Sequence, residues 1–91
     1  MVRLPAALAE HAEGQRSVRV DVPAAGTIGS VLDALTVGRP QLDWRIRDET
    51  GMLRRHVNVY LGDVDVRTTA GLATPIADGD VVTVLPSVAG G

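Results

Sequence analysis

The sequence predicts an α+β protein, a mixed sheet of four or five short strands packed on one helix. Three observations carry that expectation. Ile28, Val31, Leu32 and Leu35 fall at i, i+3, i+4 and i+7, the one clear amphipathic helix pattern in the chain. The stretches 17–22, 56–61 and 80–85 are strand-like, and the first two alternate polar and apolar cleanly. Hydrophobic residues make up 45% of 91 residues, enough for one modest core and one domain.

In chain order, Met1 to Leu4 reads as a short first strand, and Pro5 to Gly14 as a connection. Ser17 to Val22 is a half-buried strand with Val18, Val20 and Val22 inward. Pro23 to Gly26 is a turn, and Thr27 stands at the N-cap of the helix. Gly38 and Pro40 end that helix, glycine as C-cap and proline as breaker. Over residues 41–54, Leu42, Trp44 and Ile46 fit a helical turn or an irregular crossing, and Trp44 is read as a satellite packing residue in preference to a partner-binding aromatic. Val57, Val59 and Leu61 point inward from the next strand. Gly62-Asp63 is a tight turn, and Val64 to Arg67 returns as a short strand. Leu72 and Ile76 look like buried anchors, and Asp78-Gly79 turns the chain into the last strand. There Val82 and Val84 join the inward set. The first and last strands are expected side by side at the centre, parallel.

Composition excludes several classes of function. The net charge of −2 argues neither for nucleic acid nor for an anionic membrane, and neither is expected as a partner. No cysteine is present, which removes disulfides, thiolate nucleophiles and cysteine zinc sites. His11 near Glu10 and Glu13 is a poor metal site, and no spacing of Ser, His and Asp or of paired carboxylates is defensible as catalytic. No Gly-rich loop could cradle a phosphate, so the chain should bind no ATP by itself. No run approaches transmembrane length, and a cytoplasmic location is expected. All the basic residues are arginine, a pattern that genomic composition explains as well as any function.

The ending is the most informative stretch. A domain over 1–85 leads into a tail over 86–91, Pro86-Ser87-Val88-Ala89-Gly90-Gly91. Pro86 gives no amide to a sheet, so the strand should stop there. Two terminal glycines bury no side chain and make poor core material. Extended, a flexible tail of this length reaches on the order of 20 Å. A frayed end and a working tether are both consistent with the tail alone.

Three stretches give the chain a specific likeness: 56–67, with its alternating strand and returning turn; 71–80, ending Asp78-Gly79-Asp80; and the ending Leu85 to Gly91. Together they resemble the ubiquitin-like sulfur-carrier family (MoaD/ThiS-like), and within it the actinobacterial CysO-type carriers. The likeness extends weakly over 14–35. It departs in a shorter first strand and over 38–51, a crossing loop. The resemblance implies a ubiquitin-like β-grasp fold and a protein co-substrate rather than an enzyme. It implies that a ThiF/MoeB-like activating enzyme uses ATP to adenylate Gly91, which then becomes a thiocarboxylate. A sulfur-accepting synthase, in cysteine synthesis or a thiolated metabolite, would take the sulfur. In the CysO-type scheme a metal-dependent protease then releases the product. Molybdopterin and thiamin are lesser alternatives as clients. A protein modifier conjugated through Gly91 and a non-covalent interaction domain are the competing functions.

With that reading, Gly90 and Gly91 leave the acyl carbon open to attack, and Ala89, Val88 and Ser87 are small enough to thread a channel. Period two places Asn58 and Tyr60 on the sheet face away from the helix, joined by Thr83 and Leu85 if the last strand lies alongside. That face is the expected docking surface, with Tyr60 and Leu85 as its apolar part.

Overall fold

A computed structural model describes residues 1–86. It holds five strands: β1 (Val2–Arg3), β2 (Ser17–Val18), β3 (Val57–Leu61), β4 (Val64–Asp65) and β5 (Val82–Pro86). Three helices accompany them: α1 (Ala6–Ala9), α2 (Ile28–Leu35) and α3 (Pro40–Ile46). The strand order is β2-β1-β5-β3-β4. β5 is central, parallel to β1 and antiparallel to β3, as the sequence leads one to expect.

The sheet closes on α2 because the residues demand it. Ile28, Val31, Leu32 and Leu35 are all buried, and they meet Val2, Val59, Val82 and Val84 in one core. Thr27 caps α2 through a reciprocal pair: its Oγ1 accepts from Ser30 N at 3.2 Å, and Ser30 Oγ accepts from Thr27 N at 2.8 Å. Gly29 lets α2 lie close to the loop that follows β4. A Cβ there would stand 3.3 Å from the Leu72 carbonyl oxygen.

Several connections differ from expectation. The 5–14 segment contains α1, whose Ala9 is buried, together with Ala12 just beyond it. β2 pairs only over Ser17 and Val18; Val20 and Val22 pack against the core as half-buried loop residues. α2 ends at Leu35, just over two turns long, with Thr36 as C-cap. Pro40 does not merely stop α2. It occupies the first turn of α3, where its missing amide costs nothing. Within α3, Leu42 and Ile46 are buried four residues apart, so Trp44 turns away and is 58% exposed. The returning strand is shorter than 64–67: it pairs at Val64 and Asp65 and then tightens into a 3₁₀ turn over Val66–Thr68. Ile76 is buried and Leu72 packs against the core, as expected for anchors.

Two ion-pair clusters hold the helices to the loops. Arg47 bridges Asp33 on α2 at 2.7 Å and Asp43 on α3 at 2.8 Å. Burial lowers the pKa of Arg47, but its two carboxylate partners outweigh that and hold it above its ordinary value. Arg39 reaches Glu13 at 2.7 Å and also donates to the Leu35 carbonyl at the end of α2.

Candidate functional site

The fold's centre and its exit are the same strand. β5 runs between β1 and β3 and reaches the sheet's edge at Pro86, which pairs with Val57 at the start of β3. Pro86, the last of the described residues, still lies in β5. Ser87, Val88, Ala89, Gly90 and Gly91 lie outside the described residues.

The four residues expected on the docking face do come together. β3 and β5 register Asn58 opposite Leu85 and Tyr60 opposite Thr83. Their neighbours Val57, Val59, Val82 and Val84 are buried on the other side, so alternation puts these four on the face away from α2. Leu85 is 42% exposed; Asn58, Tyr60 and Thr83 are half-buried. Asn58 already holds one partner through its carbonyl. Its Oδ1 accepts from Arg67 Nη1 at 3.0 Å, while Arg67 Nη2 donates to the Arg54 carbonyl at 2.8 Å.

A second feature sits at the end of the sheet where β5 leaves it. A groove of about 300 Å³ opens between α1 and α3, floored by Leu8, Val57 and Pro86 and walled by Trp44. Arg45, Arg54 and His56 also line it. The Arg54 guanidinium lies 4.5 Å from the centroid of the Trp44 ring, and its Nε donates to the Trp44 carbonyl. Its Nη2 is shut away from water with no hydrogen-bond partner among the described residues. Sequence reasoning missed this groove. The available signal was Pro40 as a helix start, since a helix over 40–46 with Leu42 and Ile46 inward must turn Trp44 outward.

Among the described residues, no three His, Asp or Glu side chains converge as metal ligands. His11 Nε2 comes within 3.3 Å of Glu10 Oε1, whereas Glu13 is taken by Arg39. No described helix is long and apolar enough to cross a membrane.

Comparison with known proteins agrees along the whole chain. The sulfur carrier protein CysO of Mycobacterium tuberculosis is 45% identical over 92 residues, covering 99% of this chain and 96% of that protein. Small archaeal modifier protein 1 of Haloferax volcanii is 40% identical over 89 residues, covering 98% and 97%. Among solved structures, a chain of the Amycolatopsis orientalis BexX/CysO complex superposes with a TM-score of 0.85 at 36% identity, covering 99% of this chain and 97% of that one. The crystal structure of the Haloferax volcanii modifier gives 0.82 at 40% identity, covering 99% and 96%. These likenesses establish the ubiquitin-like β-grasp architecture, and the relatives are carriers and modifiers by name rather than catalysts. The ThiS family model matches residues 2–91, and the chain is a member of the ThiS family.

Proposed function

We propose that this protein is a sulfur carrier whose working group is the carboxylate of Gly91. The observation that carries the reading is a Gly90-Gly91 ending placed a few residues beyond the central strand of a ThiS-family fold. A terminal carboxylate has a pKa of roughly 3.3–3.7 and is a poor electrophile at neutral pH. It must be activated by a partner. In the proposed sequence, a carboxylate oxygen of Gly91 attacks the α-phosphorus of ATP and pyrophosphate leaves. A sulfide-equivalent donor then attacks the acyl carbon and AMP leaves with the bonding pair. The product is a terminal thiocarboxylate, which donates its sulfur to an acceptor synthase. ATP belongs to the ThiF/MoeB-like activating enzyme and no cofactor to this chain.

Glycine at both terminal positions suits this chemistry, since no Cβ crowds the acyl carbon inside a narrow channel. Ser87, Val88 and Ala89 would thread behind it. The outer face of β3 and β5, with Tyr60 and Leu85 beside Asn58 and Thr83, is the proposed docking surface. Tyrosine is a common anchor of such surfaces, and an exposed leucine next to it extends the apolar contact.

The test is an intact mass after incubation with an activating enzyme from the same genome, ATP and a sulfide donor. Replacement of one oxygen by sulfur at Gly91 is expected. Gly90→Val should block that change while leaving the melting temperature in place; sulfur gained by the variant at the wild-type rate would sink the reading. The likeness to archaeal modifier proteins sustains a second reading, conjugation through Gly91 to amines of other proteins. Amide-linked adducts on target lysines in the same assay would favour it.

A further inference from the structure

We infer that the groove beside Pro86 is a second docking point for the enzyme that takes Gly91, and that its occupant is a partner segment presenting an apolar side chain next to a carboxylate. The inference rests on the carrier reading for the identity of the partner, but its chemistry comes from the groove itself. The floor of Leu8, Val57 and Pro86 and the wall of Trp44 suit an apolar side chain. Trp44 is 58% exposed although a half-turn of helix in either direction would have buried it.

The carboxylate follows from the charges. Arg45, Arg54 and His56 line the groove and no Asp or Glu does, on a chain whose net charge is −2. Arg54, like Arg45 beside it, makes no ion pair with a described residue. Arg39 and Arg47 hold carboxylates, and Arg67 holds Asn58 and a carbonyl. Among the described residues the Arg54 side chain meets the Trp44 carbonyl and ring, and its Nη2 is out of water with no described partner. What faces the groove is the positive charge of the Arg54 guanidinium together with Arg45 and His56, and a partner's carboxylate is the complement of that charge. Asp48 feels the charge of Arg54, but its Oδ1 is already held by Thr50 and by the Met52 amide, and it does not line the groove.

Place argues for the same partner. Pro86 both lines the groove and stands just before the last five residues. The five residues after it span at most about 17 Å, so an enzyme holding Gly91 in its active site has the groove within reach of its own surface. A stacked Trp and Arg pair is the side-chain chemistry most often found at the energetic centre of an interface.

Two measurements decide the matter, both on the full chain. The first titrates an N-acetylated, C-amidated Gly-Leu-Asp-Leu-Gly peptide into ¹⁵N-labelled protein, with the Asn-containing peptide as control. Saturable shifts of the Trp44 indole N–H and the Arg54 Nε–H are expected, with Kd on the order of 1 mM for so short a ligand. Trp44→Ala and Arg54→Gln should lose them. No saturable shift, equal binding of the Asn peptide, or shifts that appear on concentrating the protein alone (a second copy as occupant) would each overturn the proposal. The second follows ATP–pyrophosphate exchange with the activating enzyme. Arg54→Gln and Trp44→Ala should raise KM for the carrier about ten-fold, the size of one lost hot-spot contact, with kcat nearly unchanged. Unchanged KM against an active wild type overturns the proposal. If the wild type forms no adenylate, the carrier reading falls instead, and the peptide titration alone decides the groove. A thermal melt of both variants separates lost binding from lost fold.

Discussion

Val82 and Val84 point to one side of β5 and are fully buried; Thr83 and Leu85 point to the other and remain half-buried or exposed. The same alternation runs along β3, where Val57 and Val59 face α2 and Asn58 and Tyr60 do not. One face of these two strands therefore fixes where the tail begins. The other face is what a partner can touch along the strands, while the groove lies at their end, between α1 and α3, where Val57 and Pro86 of the inner set line it. The difference teaches that along the strands presentation and recognition use different side chains and meet only at the Val57–Pro86 end, so away from that end they should be separable by substitution.

The largest effect should come from the inner face. Val84→Ala removes two fully buried methyl groups from the core, at about 2–3 kcal/mol. A chain of this size holds about 5–14 kcal/mol in total, so urea unfolding should show a clearly lower midpoint with an unchanged slope. Tail chemistry at a temperature where the variant is folded should be near normal. A variant that stays stable but cannot be activated would break the division between the faces.

Outer-face substitutions should do the reverse. Leu85→Ala with Tyr60→Ala is expected to shift stability by no more than about 1 kcal/mol, since both side chains keep contact with water. Binding to the activating enzyme, by calorimetry, should weaken about ten-fold or more. Equal binding by the double variant would remove this face as the docking surface and leave the groove as the main contact. Asn58→Ala should do less to binding than either, because the Asn58 carbonyl is already committed to Arg67.

Much of this division was legible in the residues. Alternation in 56–61 and 80–85 placed each side chain on its face, because a two-residue period leaves no other phase once one valine is inward. The parallel pairing of first and last strands followed from a single helix needing a sheet to cover it. The groove was not legible, for a local reason. Residues 38–51 hold glycine, proline and mixed charges that read as a loop. Only the Pro40 start and the Leu42–Ile46 spacing reveal a helix there, and seven residues give little periodicity to see. α1 is shorter still, and its burial comes from alanines, which carry no pattern. The tail was conspicuous as composition, but its chemistry was supplied by likeness to a family.

A smaller effect sharpens the inner side of the comparison. α2 supplies the surface on which Val82 and Val84 pack, so weakening its start should loosen that face alone. Thr27→Ala removes the acceptor for Ser30 N and half of the reciprocal cap. A loss of about 1 kcal/mol is expected by thermal or urea unfolding, with partner affinity unchanged. Thr27→Asp should restore most of it, since a carboxylate caps as well as a hydroxyl.

The smallest effect lies outside both faces and supplies a reference for them. The hydrogen bond from Arg39 holds the Glu13 carboxyl below its ordinary value of 4.5, with burial opposing and the charge of Arg39 adding. The Thr50 hydroxyl does the same for Asp48, against burial and with help from the Thr50 and Met52 amides and Arg54. In both cases the unfolded chain binds the proton more readily than the folded one. The stabilisation is therefore complete above the unfolded values and is lost as pH falls through the folded ones, over a window of about pH 5 to 2. Both carboxylates are exposed and salt-screened, so the melting temperature should decline only gently across that window. Glu13→Gln should be slightly less stable than wild type at neutral pH and should converge with it near the acid end. If Glu13→Gln instead lowers partner affinity at neutral pH, the contact surface extends past α1 to the Arg39 corner, and the separation of presenting and recognising residues would have to be redrawn there.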